Sequence, residues 1–349
     1  MAHKIDHFPA RHLVINEETY LYFGGTAYLG LQSDINFQNL FISNIKKYGT
    51  NYGASRTSNV QINIYEKAEA HLASIVGSEA CTTLSSGYLA GQLIAKHFNT
   101  NNYACFYAPN THSALFSAKT SCRENYSVLN SAVRYALKKD AKTTPVVFLD
   151  SIDFSGINYP NFSALEELPL DQVIVVADDS HGIGIVGYKG GGVFHQLKQL
   201  NPKELVVSCS LGKGYGIQSG GIFGTKERLL QLTETDFFGG ASPATPAAMA
   251  TLMQAEIIYE KKRAKLQDSI NLFKKNIKDL YNFSWMKGHP AFSFSDENLT
   301  SYLANNKIIV THFNYPSEDA SVMSRIVLSA AHNQADIILL TTTINRFYE

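Results

Sequence analysis

Two segments of the chain carry side chains that could act together in catalysis. In the first, an apolar strand pattern ends in two carboxylates and an imidazole, Asp178, Asp179 and His181, at a glycine-rich turn. In the second, a similar pattern ends in hydroxyl side chains and then places Lys213 between two glycines, where the backbone can approach a ligand closely. Taken alone, such acids most often cap a turn, and such a lysine is most often solvated. Together they predict a site that offers one ligand both an amine and a carboxylate.

Pyridoxal 5'-phosphate (PLP) is a cofactor with these two requirements. A lysine joins it covalently as an aldimine, and a carboxylate keeps its pyridine nitrogen protonated. Lys213 is the candidate for the covalent link and Asp178 for the carboxylate. His181, three residues further on, could hydrogen-bond the phenolic oxygen of the ring.

A phosphate site is predicted upstream, where a turn of small residues precedes a helix pattern over Leu89–His97. The turn contains Ser86, Gly87 and Tyr88, and the N-terminus of a helix offers backbone N–H groups to a phosphate. Ser210 could add a hydroxyl to the same phosphate.

The elements that must position these residues read as alternating strands and helices. Continuous apolar runs of this length are typical of strands buried on both faces of a parallel sheet. They are Val146–Leu149 before Asp150, Val173–Ala177 before Asp178, and Leu205–Val207 before Ser208. Besides Leu89–His97, the helix patterns are Ile64–Val76, Ala114–Ser121, Ser163–Leu168 and Val193–Leu200. This alternation predicts an α/β fold with ligands at the carboxyl ends of the strands.

The pattern changes after a Gly/Pro-rich stretch at 238–246. One long helix is predicted over Ala247–Asn276, then strands near Ala291–Phe294 and Ile308–Thr311, and a final helix over Gln334–Phe347. The predicted organisation is an N-terminal segment (1–47), a large PLP-binding domain with a mostly parallel sheet (48–237) and a smaller α+β domain (238–349).

Composition excludes several other classes of protein. Of the 349 residues 45% are hydrophobic and 17% charged, which excludes general disorder. Lys+Arg and Asp+Glu both number 30, so there is no basic excess for a nucleic-acid backbone. The four cysteines form no C-x-x-C pair, and the first residues lack the apolar core of a signal peptide. We expect a cytoplasmic protein with reduced thiols and no bound metal.

The chain resembles the α-oxoamine synthase family of fold-type-I PLP enzymes from about residue 20 to its end. Each shared motif is weak alone, but seven in the family's order are specific. The motifs are Tyr28-Leu29-Gly30-Leu31, Tyr48-Gly49 through Ser55-Arg56, Ser86-Gly87-Tyr88, Asn110-Thr111-His112-Ser113, Asp178-Asp179-Ser180-His181-Gly182, Ser210-Leu211-Gly212-Lys213-Gly214 and Ser329-Ala330-Ala331-His332.

The resemblance implies roles for individual residues. Lys213 would bind the cofactor and later move the Cα proton, Asp178 and His181 would pair with the ring, and His112 would stack on its face. Arg325 matches the family arginine that binds the substrate carboxylate, although a solvated arginine beside an apolar strand is an equally good interpretation. Thr26 stands where the family has an asparagine that faces the substrate.

The family's reaction condenses an amino acid with an acyl-CoA, usually with loss of carbon dioxide, and gives an α-oxoamine. Its members are homodimers with active sites at the subunit interface, so a homodimer is expected here. Ser86-Gly87-Tyr88 is more similar to the Ser-Gly-Phe of the 8-amino-7-oxononanoate synthase branch, which serves biotin biosynthesis, than to the Ser-Cys-Phe of the 2-amino-3-ketobutyrate CoA ligase branch.

Three departures from the family pattern concern the substrate. Besides Thr26, a family histidine is replaced by Tyr65 or a neighbour, and the Glu-x-x-x-Ser-Met-Asp-Gly segment is reduced to Asp150–Gly156. The partner-subunit Ser-Thr pair that binds phosphate in the family has no clean counterpart at 239–242. These changes leave open an aminotransferase or an aldolase/lyase that uses PLP without acyl-CoA, since a fold does not fix a reaction.

Other interpretations are less favoured. Gly182–Gly187 spells G-x-G-x-x-G after a strand, but a dinucleotide site needs a helix directly after it, and no helix pattern follows. Asp179, Ser180 and His181 are consecutive and cannot form a hydrolase triad. A non-catalytic binding protein is disfavoured because the lysine, aspartate and stacking histidine are all present.

Overall fold

The computed structural model describes residues 3–117, 121–140, 142–314 and 322–349. The chain forms two compact units. The terminal unit contains Met1–Asn39, Phe154–Gly156 and Ile257–Glu349, and the central unit contains Leu40–Asp153 and Ile157–Glu256. The division into domains at 47/48 and 237/238 stays a prediction.

The strands of the described residues are numbered in chain order. They are β1 (His12–Ile15), β2 (Glu18–Phe23), β3 (Ala80–Leu84), β4 (Tyr103–Tyr107), β5 (Thr144–Asp150), β6 (Ile174–Asp178), β7 (Glu204–Ser210), β8 (Gly220–Gly224), β9 (Ser284–Trp285), β10 (Ala291–Ser293), β11 (Ile308–Asn314) and β12 (Val322–Val327).

The α-helices of the same residues are numbered in the same way. They are α1 (Ile35–Tyr48), α2 (Ile64–Val76), α3 (Gly87–Phe98), α4 (Tyr126–Lys139), α5 (Ser163–Glu166), α6 (Phe194–Gln199), α7 (Lys226–Thr233), α8 (Asp236–Gly240), α9 (Pro246–Gln254), α10 (Glu256–Asn276), α11 (Glu297–Asn305) and α12 (Gln334–Tyr348).

The central unit is built on a six-stranded sheet in the order β3-β8-β7-β6-β5-β4. Strands β4 to β7 are parallel to one another, and β8 is antiparallel to both of its neighbours. The predicted mostly parallel sheet is therefore confirmed. The three strands predicted from apolar runs are β5, β6 and β7, and their register places Asp150 beside Asp178 and Asp178 beside Ser208.

Helix α3 contributes much of the core beneath this sheet. Its Leu93 and Ile94 are buried together with Phe148 of β5, Val176 of β6 and Val206 of β7. Because apolar burial of this kind fixes the helix against the strands, the N-terminus of α3 is held near the strand ends where the polar residues emerge.

The terminal unit contains a second six-stranded sheet, in the order β1-β2-β11-β12-β10-β9. Its strands come from both ends of the chain, because β2 pairs in parallel with β11, with Leu21 opposite Ile308. The other described pairings in this sheet are antiparallel. The predicted smaller α+β part of the chain thus also includes two N-terminal strands.

The long helix predicted over Ala247–Asn276 is two helices. Helix α9 ends at Gln254 and α10 begins at Glu256, because Ala255 leaves the helical conformation with φ −95° and ψ 13°. Side-chain periodicity continues across such a break, so the pattern alone predicts one helix. Among the described residues, no helix has the length and apolar character required to cross a bilayer.

Candidate active site

The ends of β6 and β7 are joined through one serine. The backbone N–H of Ser180 donates to Oδ1 of Asp178 at 2.8 Å, and the Ser180 Oγ accepts from the backbone N–H of Ser210 at 2.8 Å. Ser180 and Asp178 are both buried. The first bond fixes the carboxylate of Asp178, and the second fixes the strand end from which the chain continues to Lys213. Sequence reasoning named Ser180 only as part of a motif and missed this linking role.

Lys213 and His181 lie in direct contact. The Lys213 Nζ is 2.8 Å from the His181 Nε2. An ammonium can only donate, and His181 Nε2 is the acceptor of this contact when Lys213 carries its proton. The predicted amine and the predicted ring-binding histidine are therefore brought together, although they are 32 positions apart in the chain.

His112 lies in the same charged environment. Its Nδ1 accepts a hydrogen bond from the backbone N–H of Ala114 at 3.0 Å, which leaves the proton of the neutral ring on Nε2. Burial lowers the pKa of His112, with the charge of Lys213 acting in the same direction and that of Asp178 opposing it. The ring is thus held uncharged, as stacking on an aromatic ligand favours.

Asp150 is a site residue that sequence reasoning missed. Its Oδ1 accepts from the backbone N–H of His112 at 3.0 Å, and it stands beside Asp178 in the register of β5 and β6. Burial, followed by the negative charge of Asp178, raises the pKa of Asp150 to about 8, while the His112 N–H and Lys213 oppose the rise. The available signal was that two adjacent parallel strands both end in aspartate.

Asp179 has a structural role that accounts for the nearby glycines. Its two oxygens accept from the Ser151 hydroxyl at 2.6 Å and from the Val193 N–H at 3.0 Å. A Cβ on Gly182 or on Gly192 would lie within about 2 Å of these oxygens. Burial raises the pKa of Asp179 to about 7. The G-x-G-x-x-G pattern therefore reflects packing around a buried carboxyl. Among the described residues the next α-helix is α6, which begins at Phe194 and so does not follow the pattern directly.

The predicted phosphate turn forms the N-terminus of α3. The Ser86 Oγ accepts from the backbone N–H of Leu89 at 3.2 Å and caps the helix. Gly87 is the first helical residue, and a Cβ there would lie 2.7 Å from both Cα and Cβ of Ser210. Tyr88 is 56% exposed. Because the first turn of a helix directs unpaired N–H groups outward, this backbone contact places them beside the Ser210 hydroxyl.

Tyr65, one of the residues expected to replace a family histidine, is buried. Its hydroxyl donates to the carbonyl oxygen of Ala244 at 2.7 Å, and the Arg56 guanidinium carbon lies 4.3 Å from the centre of its ring. Burial raises the pKa of Tyr65 to about 12. In this chain the position supports the fold of the central unit.

The two predicted substrate residues belong to the terminal unit. Thr26 is exposed, and Arg325 is half-buried in the middle of β12. The structure describes both side chains, but their contact with a substrate stays a prediction, as do the individual roles of the residues gathered in the central unit.

Comparison with solved structures places the fold among the fold-type-I enzymes. A serine palmitoyltransferase from S. paucimobilis, with a bound PLP–myriocin aldimine, superposes with a TM-score of 0.82 at 16% identity, over 99% of this chain and 91% of that one. The 8-amino-7-oxononanoate synthase from Francisella tularensis superposes with a TM-score of 0.70 at 18% identity, over 95% and 99% of the two chains. The predicted fold class is confirmed.

Curated sequences give a consistent result. The 8-amino-7-oxononanoate synthase of Buchnera aphidicola subsp. Baizongia pistaciae is 23% identical over 351 residues, which cover 96% of this chain and 91% of the relative. No protein-family model matches the sequence. These findings confirm the predicted resemblance to the α-oxoamine synthase family.

The residues of the central unit fit the cofactor of that family. Lys213 supplies an amine, Asp178 a buried carboxylate, and His112 a neutral ring in the same electrostatic environment. Gly87 lets the N-terminus of a helix approach Ser210 closely, since a Cβ there would lie 2.7 Å from Ser210. These groups match what PLP requires, which is an amine for the covalent link, a carboxylate opposite its ring nitrogen and a binding site for its phosphate.

The raised pKa of Asp150 predicts a pH dependence of stability. An aspartate in an unfolded chain has a pKa of about 3.9, and that of folded Asp150 is about 8. Between these values the folded state binds more protons, so this group makes the free energy of unfolding fall as the pH rises. Asp150→Asn keeps an acceptor oxygen for the His112 N–H and removes the titration.

We expect the fall in unfolding free energy between about pH 5 and about pH 8 to be smaller in Asp150→Asn, by at most about 1.4 kcal/mol per pH unit. Urea denaturation of the cofactor-free protein at several pH values measures this. A residual slope from Asp179 is expected in both proteins. Identical slopes in the two proteins would contradict the assignment of a raised pKa to Asp150.

Proposed function

We propose that the protein is a PLP-dependent acyltransferase that condenses an amino acid with an acyl-CoA, as 8-amino-7-oxononanoate synthase does. The observation that carries the proposal is the contact of Lys213 Nζ with His181 Nε2 beside the buried carboxylate of Asp178. The matched segments cover about nine tenths of the length of the curated relatives. The names of these relatives support the reaction class.

The residues of the central unit divide the chemistry among them. PLP supplies an electron sink that stabilises negative charge at the Cα of an amino acid joined to it. Lys213 Nζ binds the cofactor and then accepts and returns the Cα proton. Asp178 holds a proton on the pyridine nitrogen, and His181 donates from its ring to the phenolic oxygen. His112 covers one face of the ring with an uncharged imidazole.

The remaining assignments complete the proposal. Ser86, Gly87, Tyr88 and Ser210 bind the phosphate through the helix N-terminus and a hydroxyl. Arg325 binds the α-carboxylate of the amino acid by a bidentate pair. The protein acts as a homodimer in the cytoplasm.

The first test is the visible absorbance of the purified protein, before and after borohydride reduction. We expect an absorbance band from the lysine-bound cofactor, and we expect reduction to remove it. Reduction leaves the cofactor permanently attached to its lysine, and peptide mapping should find this label on Lys213. Lys213→Ala should remove the band, because it deletes the amine that contacts His181. Circular dichroism should show an intact fold. Lys226→Ala, at the exposed start of α7, is the matched control and keeps the band.

Absence of the band in the wild-type protein after PLP is supplied would overturn the cofactor assignment. A reduced label that maps to another lysine would overturn the role of Lys213 while leaving the cofactor in place. In the first case a binding protein without catalysis becomes the better description.

A second experiment tests the reaction class. Release of free thiol is measured with single amino acids, single acyl-CoA thioesters and pairs of the two. Thiol release that requires both substrates is expected, because the thioester bond would break, with release of CoA, only as its acyl carbon bonds to the Cα of the amino acid. Amino-acid-dependent spectral changes without thiol release would instead favour an aminotransferase or an aldolase/lyase.

Gly87→Ala tests the phosphate-binding site. The new Cβ would lie 2.7 Å from backbone and side-chain atoms of Ser210, so the helix start and the strand end must separate. We expect the Kd for PLP to rise by about tenfold or more, which corresponds to about 1.4 kcal/mol, measured by equilibrium titration of absorbance. Gly224→Ala, at the other end of β8 from Gly220, is the control, because a Cβ there makes only ordinary contacts, the nearest at 3.5 Å. Equal affinities in the two variants would argue against this binding site.

A further inference from the structure

A second group of chemically distinctive residues lies in the terminal unit, around Arg325. This residue is in the middle of β12, where it pairs in register with Ser293 of β10 and Thr311 of β11. Its guanidinium carbon lies 3.5 Å from the centre of the Phe154 ring. At this distance the planar cation is in contact with the face of the ring and is attracted by its quadrupole.

Phe154 is held in this place by backbone and ring contacts. It has a φ of 56°, and Gly156 two residues later has a φ of 73°. A Cβ on Gly156 would lie 2.8 Å from the carbonyl oxygen of Trp285, so the segment passes directly against β9. A residue held in the left-handed region is maintained by its surroundings, since that conformation is costly for most side chains.

The Phe154 ring also packs against a buried histidine. His289 is fully buried, and its ring lies edge-on to Phe154 at 5.7 Å and 84°. The same imidazole lies edge-on to Tyr28 at 5.3 Å and 72°. Burial raises the pKa of Tyr28, and the charge of Arg325 opposes that rise. The ring that stacks on Arg325 is therefore part of a cluster of three packed rings, Phe154, His289 and Tyr28.

Stacking on a ring face restricts a guanidinium in a particular way. The face is covered, while the N–H groups remain in the plane, where they match the two oxygens of a carboxylate. A free arginine loses rotamer freedom when it binds, and an arginine already held on a ring loses less. The aromatic contact thus prepares the cation for a planar, two-oxygen anion.

We infer that Phe154 is a positioning residue that holds the guanidinium of Arg325 in the plane required to bind the α-carboxylate of the amino-acid substrate. The inference rests on the proposed function. Phe154 stands in the segment where the chain departs from its family's Glu-x-x-x-Ser-Met-Asp-Gly pattern, so this support is a feature of this chain's own sequence.

Phe154→Leu tests the inference, because leucine keeps an apolar side chain at the same backbone position and lacks the ring face. We expect the KM for the amino acid to rise roughly three- to thirtyfold, with kcat and the KM for acyl-CoA within about twofold. Phe154→Tyr keeps the ring, so its KM for the amino acid should equal that of the wild-type protein. Phe347→Leu is the matched control, because Phe347 is a half-buried ring of the same unit that packs on Tyr302. We expect this substitution to leave the KM for the amino acid unchanged.

A double-mutant cycle separates positioning from general stability. In Arg325→Lys the planar cation is lost, so Phe154→Leu added to that variant should raise the KM by less than twofold. Full additivity of the two substitutions, or an unchanged KM in Phe154→Leu, would overturn the inference. Failure of the proposed function looks different, since the wild-type protein itself would then release no thiol.

Discussion

The two hydrogen bonds of Ser180 are the constraint on which the central unit's chemistry depends. One orients a carboxylate at the end of β6, and the other holds the end of β7, from which the glycine-rich turn leads to the lysine. Ladder hydrogen bonds also join β6 to β7, but they fix the backbone and not a side chain. A small hydroxyl residue between the aspartate and the histidine thereby ties the two segments that sequence patterns identify separately.

The same edge of the sheet concentrates carboxyl groups that are expensive to bury as anions. Asp150, Asp178 and Asp179 are within one or two positions of the ends of β5 and β6, and Asp179 is satisfied by Ser151 and Val193. Raised pKa values at Asp150 and Asp179 keep much of this charge off the protein near neutral pH. The carboxyl oxygens are nevertheless already oriented by hydrogen bonds, so a ligand meets polar groups that need little reorganisation, which is the electrostatic form of preorganisation.

Much of the secondary structure of the central unit can be predicted from local patterns, because parallel strands buried on both faces appear in the sequence as continuous apolar runs. Helix α2 has the predicted bounds, and β5, β6 and β7 lie where the runs lie. The break at Ala255 was missed because it leaves the side-chain periodicity intact. Asp150 was missed because its role depends on which strands are neighbours. The contact of Phe154 with Arg325 joins residues 171 positions apart (325 minus 154), which no local pattern reports.

The pairing of β2 with β11 has a consequence for how the chain is made. Leu21 emerges from the ribosome long before Ile308, its partner in the ladder. At about 5–20 residues per second, synthesis of the intervening chain takes on the order of tens of seconds. Throughout that interval the first hairpin has an unpaired strand edge, the kind of surface that recruits other chains. Every residue of the central unit is translated in this interval, so that unit can fold before the β2–β11 pairing forms. The terminal unit closes only after β11 has been synthesised.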